Sequence, residues 1–94
     1  MKKIIDGKIY DTETSEELYS ESCHNNGNFC GSNQIHVTPR GNLMIVYTSN
    51  GQVLYRDEDI HAATPGEVRD WLDGRKITAE EIEKLAKYNI LEQA

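Results

Sequence analysis

Hydrophobic positions along the chain change period near residue 64. Before that point, short apolar runs are separated by turn residues, which is typical of strands; after it, apolar residues recur at helical spacing. Ninety-four residues leave room for one hydrophobic core, so we expect a single domain over residues 1–94. The pattern predicts an α+β fold with a small antiparallel β-sheet, formed by a hairpin and a meander, and two short C-terminal α-helices packed on it.

The strand half of the chain is divided by turns that contain glycine. Asp6-Gly7 lies between two apolar segments, and an Asp-Gly pair in that position predicts a two-residue hairpin. Asn50-Gly51 predicts a second hairpin of the same type, and Arg40-Gly41-Asn42 reads as a turn between strands. The meander strands are expected over residues 34–39, 43–49 and 52–56.

Two stretches of the first half are harder to interpret. Residues 12–22 contain Thr14-Ser15-Glu16-Glu17, which resembles the capping box of a short helix, but the alternation that follows suits an edge strand. We favour the strand. Residues 22–34 are rich in Asn, Gly and Ser and predict a loop, and His61 is expected in another loop before the first helix.

The helical part begins with Thr64-Pro65-Gly66-Glu67, which combines an N-cap, a proline at the first helical position and a capping-box glutamate. Thr78-Ala79-Glu80-Glu81 repeats this logic for a second helix. Gly74 and Asn89 are expected to end the two helices. The apolar stripes predicted to cover one side of the sheet comprise Val68, Trp71, Leu72, Ile82, Leu85 and Ala86, with Trp71 as a core residue.

The charge of the chain argues against nucleic acid as a direct partner. Sixteen acidic residues against ten basic ones give a net charge of −6, whereas binding to phosphates requires clustered Lys and Arg. The acids cluster in two segments, which we take as candidate partner-binding residues: Asp11, Glu13, Glu16, Glu17 and Glu21, then Asp57, Glu58 and Asp59. The longest apolar run, residues 43–47, is too short for a membrane span, and we expect a cytoplasmic protein of a bacterial host.

Both cysteines lie in "CHNNGNFC", residues 23–30, which raises the question of a metal site. Structural zinc ligands usually come in pairs two to four residues apart, whereas Cys23 and Cys30 are separated by six residues and Cys30 and His36 by five. His24 directly follows Cys23, an awkward position for a second tetrahedral ligand. These four residues are therefore weak metal candidates. A disulfide in a reducing compartment is disfavoured, and a polar loop with two thiols is the simplest interpretation. We expect no metal and no cofactor.

Catalytic patterns are weak in this sequence. Nucleophilic catalysis needs a thiol or hydroxyl beside an oriented base, and neither cysteine is flanked by such a signature. The glycines have neither the spacing nor the following helix of a phosphate-binding loop. We therefore expect a protein that is not an enzyme. The alternative to a binding protein of acidic character is a small metal-binding or regulatory module built on the Cys23–Cys30 loop.

The opening segment "KIIDGKIYDTETSEEL" resembles the start of small proteins from phages and mobile elements of low-GC Gram-positive bacteria. In these proteins a Lys-Ile-Ile-x-Gly-Lys hairpin leads into a Tyr-Asp/Asn-Thr-Glu-Thr-Ala segment; here Ser15 replaces the alanine. A T-x-x-G-N turn, matched by Thr38–Asn42, and a glycine turn, matched by Asn50-Gly51, extend the resemblance, and an acidic C-terminal helix completes it. The segment of residues 22–34 lies outside the resemblance.

Small acidic proteins of this genomic type include anti-CRISPR proteins, which bind a CRISPR effector and block its action on DNA. The resemblance, and not the composition, implies a phage-encoded inhibitor of a bacterial nucleic-acid-targeting defence effector. Its partner would be a basic nucleic-acid-binding protein such as a CRISPR nuclease complex. No catalytic residues follow from the resemblance, because the shared motifs are turns and strands.

Overall fold

A computed structural model describes residues 1–25, 27–49 and 58–91, without the side chains of Cys23 and Asn25. The elements of this part of the chain are β1 (Lys2–Ile5), β2 (Lys8–Asp11), β3 (Glu16–Asn25), β4 (Asn28–Val37), β5 (Leu43–Ser49), β6 (Asp59–Ala63), α1 (Pro65–Leu72) and α2 (Ala79–Lys87). The predicted α+β class is confirmed. Within the described residues, no helix is long and apolar enough to cross a membrane.

Strands β1 and β2 form the predicted hairpin. Asp6 and Gly7 have φ angles of 50° and 74°, the left-handed conformations that a tight turn of this kind requires. Ile5 pairs with Lys8, and the antiparallel register continues to the end of the hairpin. The hairpin is a separate two-stranded sheet and is not part of the larger one.

The larger sheet is antiparallel, with strand order β3-β4-β5-β6. Its β3–β4 hairpin overturns the loop prediction for residues 22–34, which lie almost entirely in two strands of ten residues each. The prediction was wrong because this hairpin carries polar residues on both faces toward its tip, so no apolar alternation marks it. The sequence of this segment does contain one hairpin signal, the pair Asn26-Gly27.

Strand β5 spans the predicted residues, and the preceding turn at Arg40-Gly41-Asn42 is also confirmed. Strand β6 is a second correction, because His61, predicted in a loop, lies in this strand and pairs with Ile45. The sequence from Asp59 to Ala63 has only one large apolar residue, so no alternation of apolar and polar positions predicts a strand there. The predicted Asn50-Gly51 hairpin and the strand over residues 52–56 lie outside the described residues.

Both helices begin with the capping boxes that the sequence predicts. Thr64 accepts a hydrogen bond from the Glu67 amide while the Glu67 carboxylate accepts one from the Thr64 amide, and Thr78 and Glu81 repeat the arrangement. After α2, Asn89 adopts a φ of 58°, as expected of a residue that ends a helix. These caps satisfy backbone amides that have no partner within a helix.

The helices cover one face of the large sheet, and the hairpin covers part of the other. Residues buried under the helices are Leu18, Tyr19, Ile35, Val37, Leu43, Ile45, Val68, Leu72, Leu85 and Ile90. Those buried under the hairpin are Tyr10, Met44, Val46 and Ile60. Trp71 is half-buried at the rim of the helix-side core, where its ring meets that of Tyr19 edge-on. The prediction that these helices pack on the sheet is confirmed.

Candidate interaction surfaces

The acidic segment of residues 11–21 does not form one face, because β3 directs its side chains to both sides of the sheet. Glu16 pairs with Val37 and Glu21 with Asn33, which places these glutamates on the helix side. Glu17 pairs with His36 and lies on the opposite side. Since β3 is an edge strand of its sheet, the three carboxylates share an edge but not a face.

Glu21 is held by several groups of the protein itself. Its carboxylate accepts hydrogen bonds from Asn33 Nδ2 at 3.0 Å, from Tyr19 Oη at 3.2 Å and from Arg75 Nε at 3.2 Å. Partial burial raises the pKa of Glu21, but the bonds from Asn33, Arg75 and Tyr19 outweigh it and lower the pKa below 4.5. The guanidinium of Arg75 also lies 3.8 Å above the Trp71 ring. This glutamate therefore joins the sheet to the segment between the helices.

Three further predicted carboxylates also have partners within the fold. Glu16 Oε1 accepts a hydrogen bond of 2.9 Å from the hydroxyl of Tyr88, next to the end of α2. Asp11 accepts one from the Glu13 amide at 3.0 Å and lies 3.9 Å from the Lys2 ammonium. Glu58 accepts one of 3.4 Å from the amide of Ser49.

Asp59 belongs to the opposite edge of the sheet. Its carboxylate accepts a hydrogen bond of 2.7 Å from Lys3 Nζ and one of 2.8 Å from the Ile60 amide. The bond from Lys3 is the main reason that the pKa of Asp59 lies below its usual range. The ion pair ties the N-terminal hairpin to β6. Asp57, the remaining acidic candidate, lies outside the described residues.

Two predicted carboxylates are left available to a partner. Glu13, in the turn before β3, and Glu17, near the start of β3, are exposed. Within the described part of the chain, neither carboxylate makes a hydrogen bond or an ion pair. We call Glu13 and Glu17 the open carboxylates. The structure thus separates acids that hold the fold together from acids that it leaves to solvent.

The metal candidates lie on both strands of the β3–β4 hairpin, Cys23 and His24 on β3 and Cys30 and His36 on β4. Cys30 is buried, at a point where the register of the two strands shifts, while His24 is exposed and its ring lies 6.0 Å from that of Phe29. The side chain of Cys23 is outside the described set. Among the described residues, no three His, Cys, Asp or Glu side chains are grouped so that they could hold a metal ion.

His36 is instead part of a chain of hydrogen bonds across the hairpin side of the sheet. Its Nε2 lies 2.8 Å from Gln34 Oε1, and its Nδ1 lies 2.7 Å from Ser15 Oγ. The side-chain amide of Gln34 donates a hydrogen bond to the Ser32 hydroxyl, which in turn lies 2.8 Å from Thr48 Oγ1. Because a carbonyl oxygen only accepts, Nε2 carries the ring proton, and Nδ1 of the neutral ring accepts from Ser15. Burial lowers the pKa of His36, which favours that neutral form.

A surface that the sequence reasoning missed lies at the turn of the N-terminal hairpin. Lys8 and Ile9 face Pro39 and Arg40 of the β4–β5 turn across a groove of about 420 Å³. On the outer face of the hairpin Ile9 pairs with Ile4, and the two residues are 69% and 73% exposed. The sequence does not reveal this surface because Arg40 is distant from Lys8 in the chain and close to it only in the fold.

Comparisons with known proteins do not extend these observations. No family model, no curated protein and no solved structure matches the chain.

Proposed function

We propose that this protein acts by binding another protein, and that it inhibits a basic, nucleic-acid-targeting defence effector in the manner of an anti-CRISPR protein. The observation that carries the proposal is the pair of open carboxylates, Glu13 and Glu17, in and beside the turn that leads into an edge strand, in a chain with a net charge of −6. Carboxylates that already accept hydrogen bonds from other groups of the chain have little capacity left to bind a partner. Those that are exposed and unengaged can be desolvated against a cationic partner.

The rigidity of this edge supports the proposal. Glu81 of α2 accepts a hydrogen bond of 3.2 Å from the Ser20 amide of β3, and Tyr88 binds Glu16 further along the same strand. Helix α2 therefore lies along β3 and holds it at two points. An acidic edge that is fixed before binding loses little conformational entropy on association, and its charge steers a basic groove toward it.

The choice of effector class depends on the resemblance of the opening hairpin to small phage and mobile-element proteins. The proposed mechanism is occupation of a basic groove that otherwise receives nucleic acid. It requires no bond-making chemistry from this chain. It does require that nucleic acid and the protein compete for one site on the effector.

The first experiment measures target cleavage by purified CRISPR effectors of low-GC Gram-positive bacteria with increasing amounts of this protein. We expect inhibition of at least one effector, relieved by added nucleic acid and weakened as ionic strength rises. Binding should be followed in parallel by surface plasmon resonance, because electrostatic steering acts on the association rate.

A charge-reversal pair tests the open carboxylates directly. Glu13→Lys/Glu17→Lys should lower the association rate by about tenfold or more, since it replaces attraction by repulsion. Asp70→Lys on α1 combined with Asp73→Lys directly after it changes the net charge by the same amount at exposed positions and is the matched control. If both double variants lowered the association rate equally, net charge alone, and not the position of the open carboxylates, would explain the effect. Failure to inhibit or bind any effector of this class would overturn the proposed function.

A further inference from the structure

The groove beside the N-terminal hairpin has an open backbone edge. In a two-residue hairpin the residues that flank the turn, here Ile5 and Lys8, form a hydrogen-bonded pair, and pairs then alternate along the strands. The bond of 3.0 Å from the Thr12 amide to the Met1 carbonyl agrees with this alternation. Ile9 is therefore at a position whose N–H and C=O point away from β1. Strand β2 thus offers a place for one more strand on the side of the groove.

The side chains at this edge alternate in chemistry. Ile9 is on the outer face with Ile4, where the two form an exposed aliphatic pair. Lys8 is on the other face, and across the groove is Arg40. Both charged side chains that line the groove are cationic, although the chain as a whole is acidic, and Asp6 of the adjoining turn is not among the lining residues.

We propose that the β2 edge binds an extended segment of a partner protein in which acidic and aliphatic residues alternate. The segment would add to the hairpin as a third strand by main-chain hydrogen bonds at Ile9. Successive side chains of a strand point to opposite faces, so its aliphatic residues would pack beside Ile9 while its carboxylates would lie near Lys8 and Arg40. The charge complementarity and the open edge together select this occupant. The inference does not use the open carboxylates and does not depend on the proposed function.

The probe is a blocked synthetic peptide, Glu-Val-Glu-Val-Glu-Val-Glu, titrated into the isotopically labelled full chain and followed by NMR. We expect saturable shifts centred on the amides of Gly7, Ile9, Arg40 and Gly41. The peptide Glu-Glu-Glu-Val-Val-Val-Glu has the same composition without the alternation and should bind about tenfold or more weakly. The alternating peptide with methylated backbone nitrogens should also lose affinity, because it cannot donate to the edge.

Two protein variants locate the site. Lys8→Glu/Arg40→Glu should lower the affinity for the alternating peptide by about tenfold or more. The control variant Lys84→Glu/Lys87→Glu on α2 should leave this affinity unchanged within about twofold. Thermal denaturation of each variant confirms that it is folded. Equal binding of the two peptides, shifts centred elsewhere, or no saturable binding at millimolar peptide would overturn the proposal. A dimer in sedimentation experiments that Ile9→Lys abolishes would also overturn it, because a second copy of the chain would then cover this surface.

Discussion

The two faces of the four-stranded sheet are buried by different means. Under the helices the contacts are apolar, with ten buried residues in one cluster. Under the hairpin the apolar cluster has four buried residues, and the same face also carries the hydrogen-bonded chain from Ser15 through His36 to Thr48. The helix side therefore supplies most of the hydrophobic stabilisation. The other side depends on groups that must all find partners, since an unsatisfied buried polar atom is costly.

The largest effect should come from the helix side. Leu85 is fully buried, and Leu85→Ala should lower the free energy of unfolding by about 3 kcal/mol through lost burial and the cavity left behind. Urea denaturation measures it. Lys87→Ala, exposed on the same helix, is the control and should change stability by less than about 0.5 kcal/mol. A loss no larger than that of the control would show that the helices contribute little to the core.

A smaller loss is expected when the polar chain is broken. His36→Leu removes the ring nitrogens that bind Gln34 and Ser15 and should cost about 2 kcal/mol, because both partners are left without their bond in a partly buried site. The same change at His61, whose side chain is 56% exposed and lies 3.2 Å from the Asp59 carboxylate, should cost about 0.5 kcal/mol or less. If His36→Leu proved stabilising in urea, apolar packing would serve this face as well as hydrogen bonds do.

At the rim of the helix side, Arg75 joins Trp71 to Glu21. Arg75→Ala should lower the free energy of unfolding by about 1 kcal/mol, since the cation–π contact and the ion pair are partly exposed. A double-mutant cycle with Glu21→Gln separates the two contributions. Coupling between these two positions that does not fall as salt is added would argue against an electrostatic origin.

The smallest effect should be a dependence on pH. The pKa of His36 is lowered by burial, so below its ordinary value of 6.5 the unfolded chain binds more protons than the folded one. Stability should therefore decrease as the pH falls from 6.5 toward the folded pKa. The pKa of Glu21 in the folded chain is lowered, so this residue adds a further loss of stability only when the pH falls below 4.5. Thermal melts from pH 7 to 5 should show a decline in the wild type that His36→Gln lacks.

The elements with strong local signals were predictable from the sequence. The Asp6-Gly7 turn, strand β5 and the two capped helices each have residues that specify them locally. The part of the β3–β4 hairpin over residues 22–34 was missed because its strands are specified by pairing with their neighbours and by polar contacts, which leave no period in the sequence.

For the candidate surfaces, the sequence predicts which types of residue take part but not which of them are available to a partner. The sequence identifies carboxylates, but their availability depends on partners that are distant in the chain. Arg75 is 54 residues from Glu21, Tyr88 is 72 residues from Glu16, and Lys3 is 56 residues from Asp59. Such contacts are determined by packing, so the division between engaged and open acids could not be read from spacing.

The hydrogen bond from the Ser20 amide to Glu81 has a consequence for the behaviour of the protein at high concentration. An exposed edge strand is a template on which strands of other molecules can stack, and this is a common route to aggregation and domain swapping. Here the first turn of α2 occupies a donor on that edge, and neighbouring glutamates add like-charge repulsion between copies. We therefore expect helix α2 to hinder strand addition along β3, and a variant whose first α2 turn is loosened should aggregate under conditions in which the core is still folded.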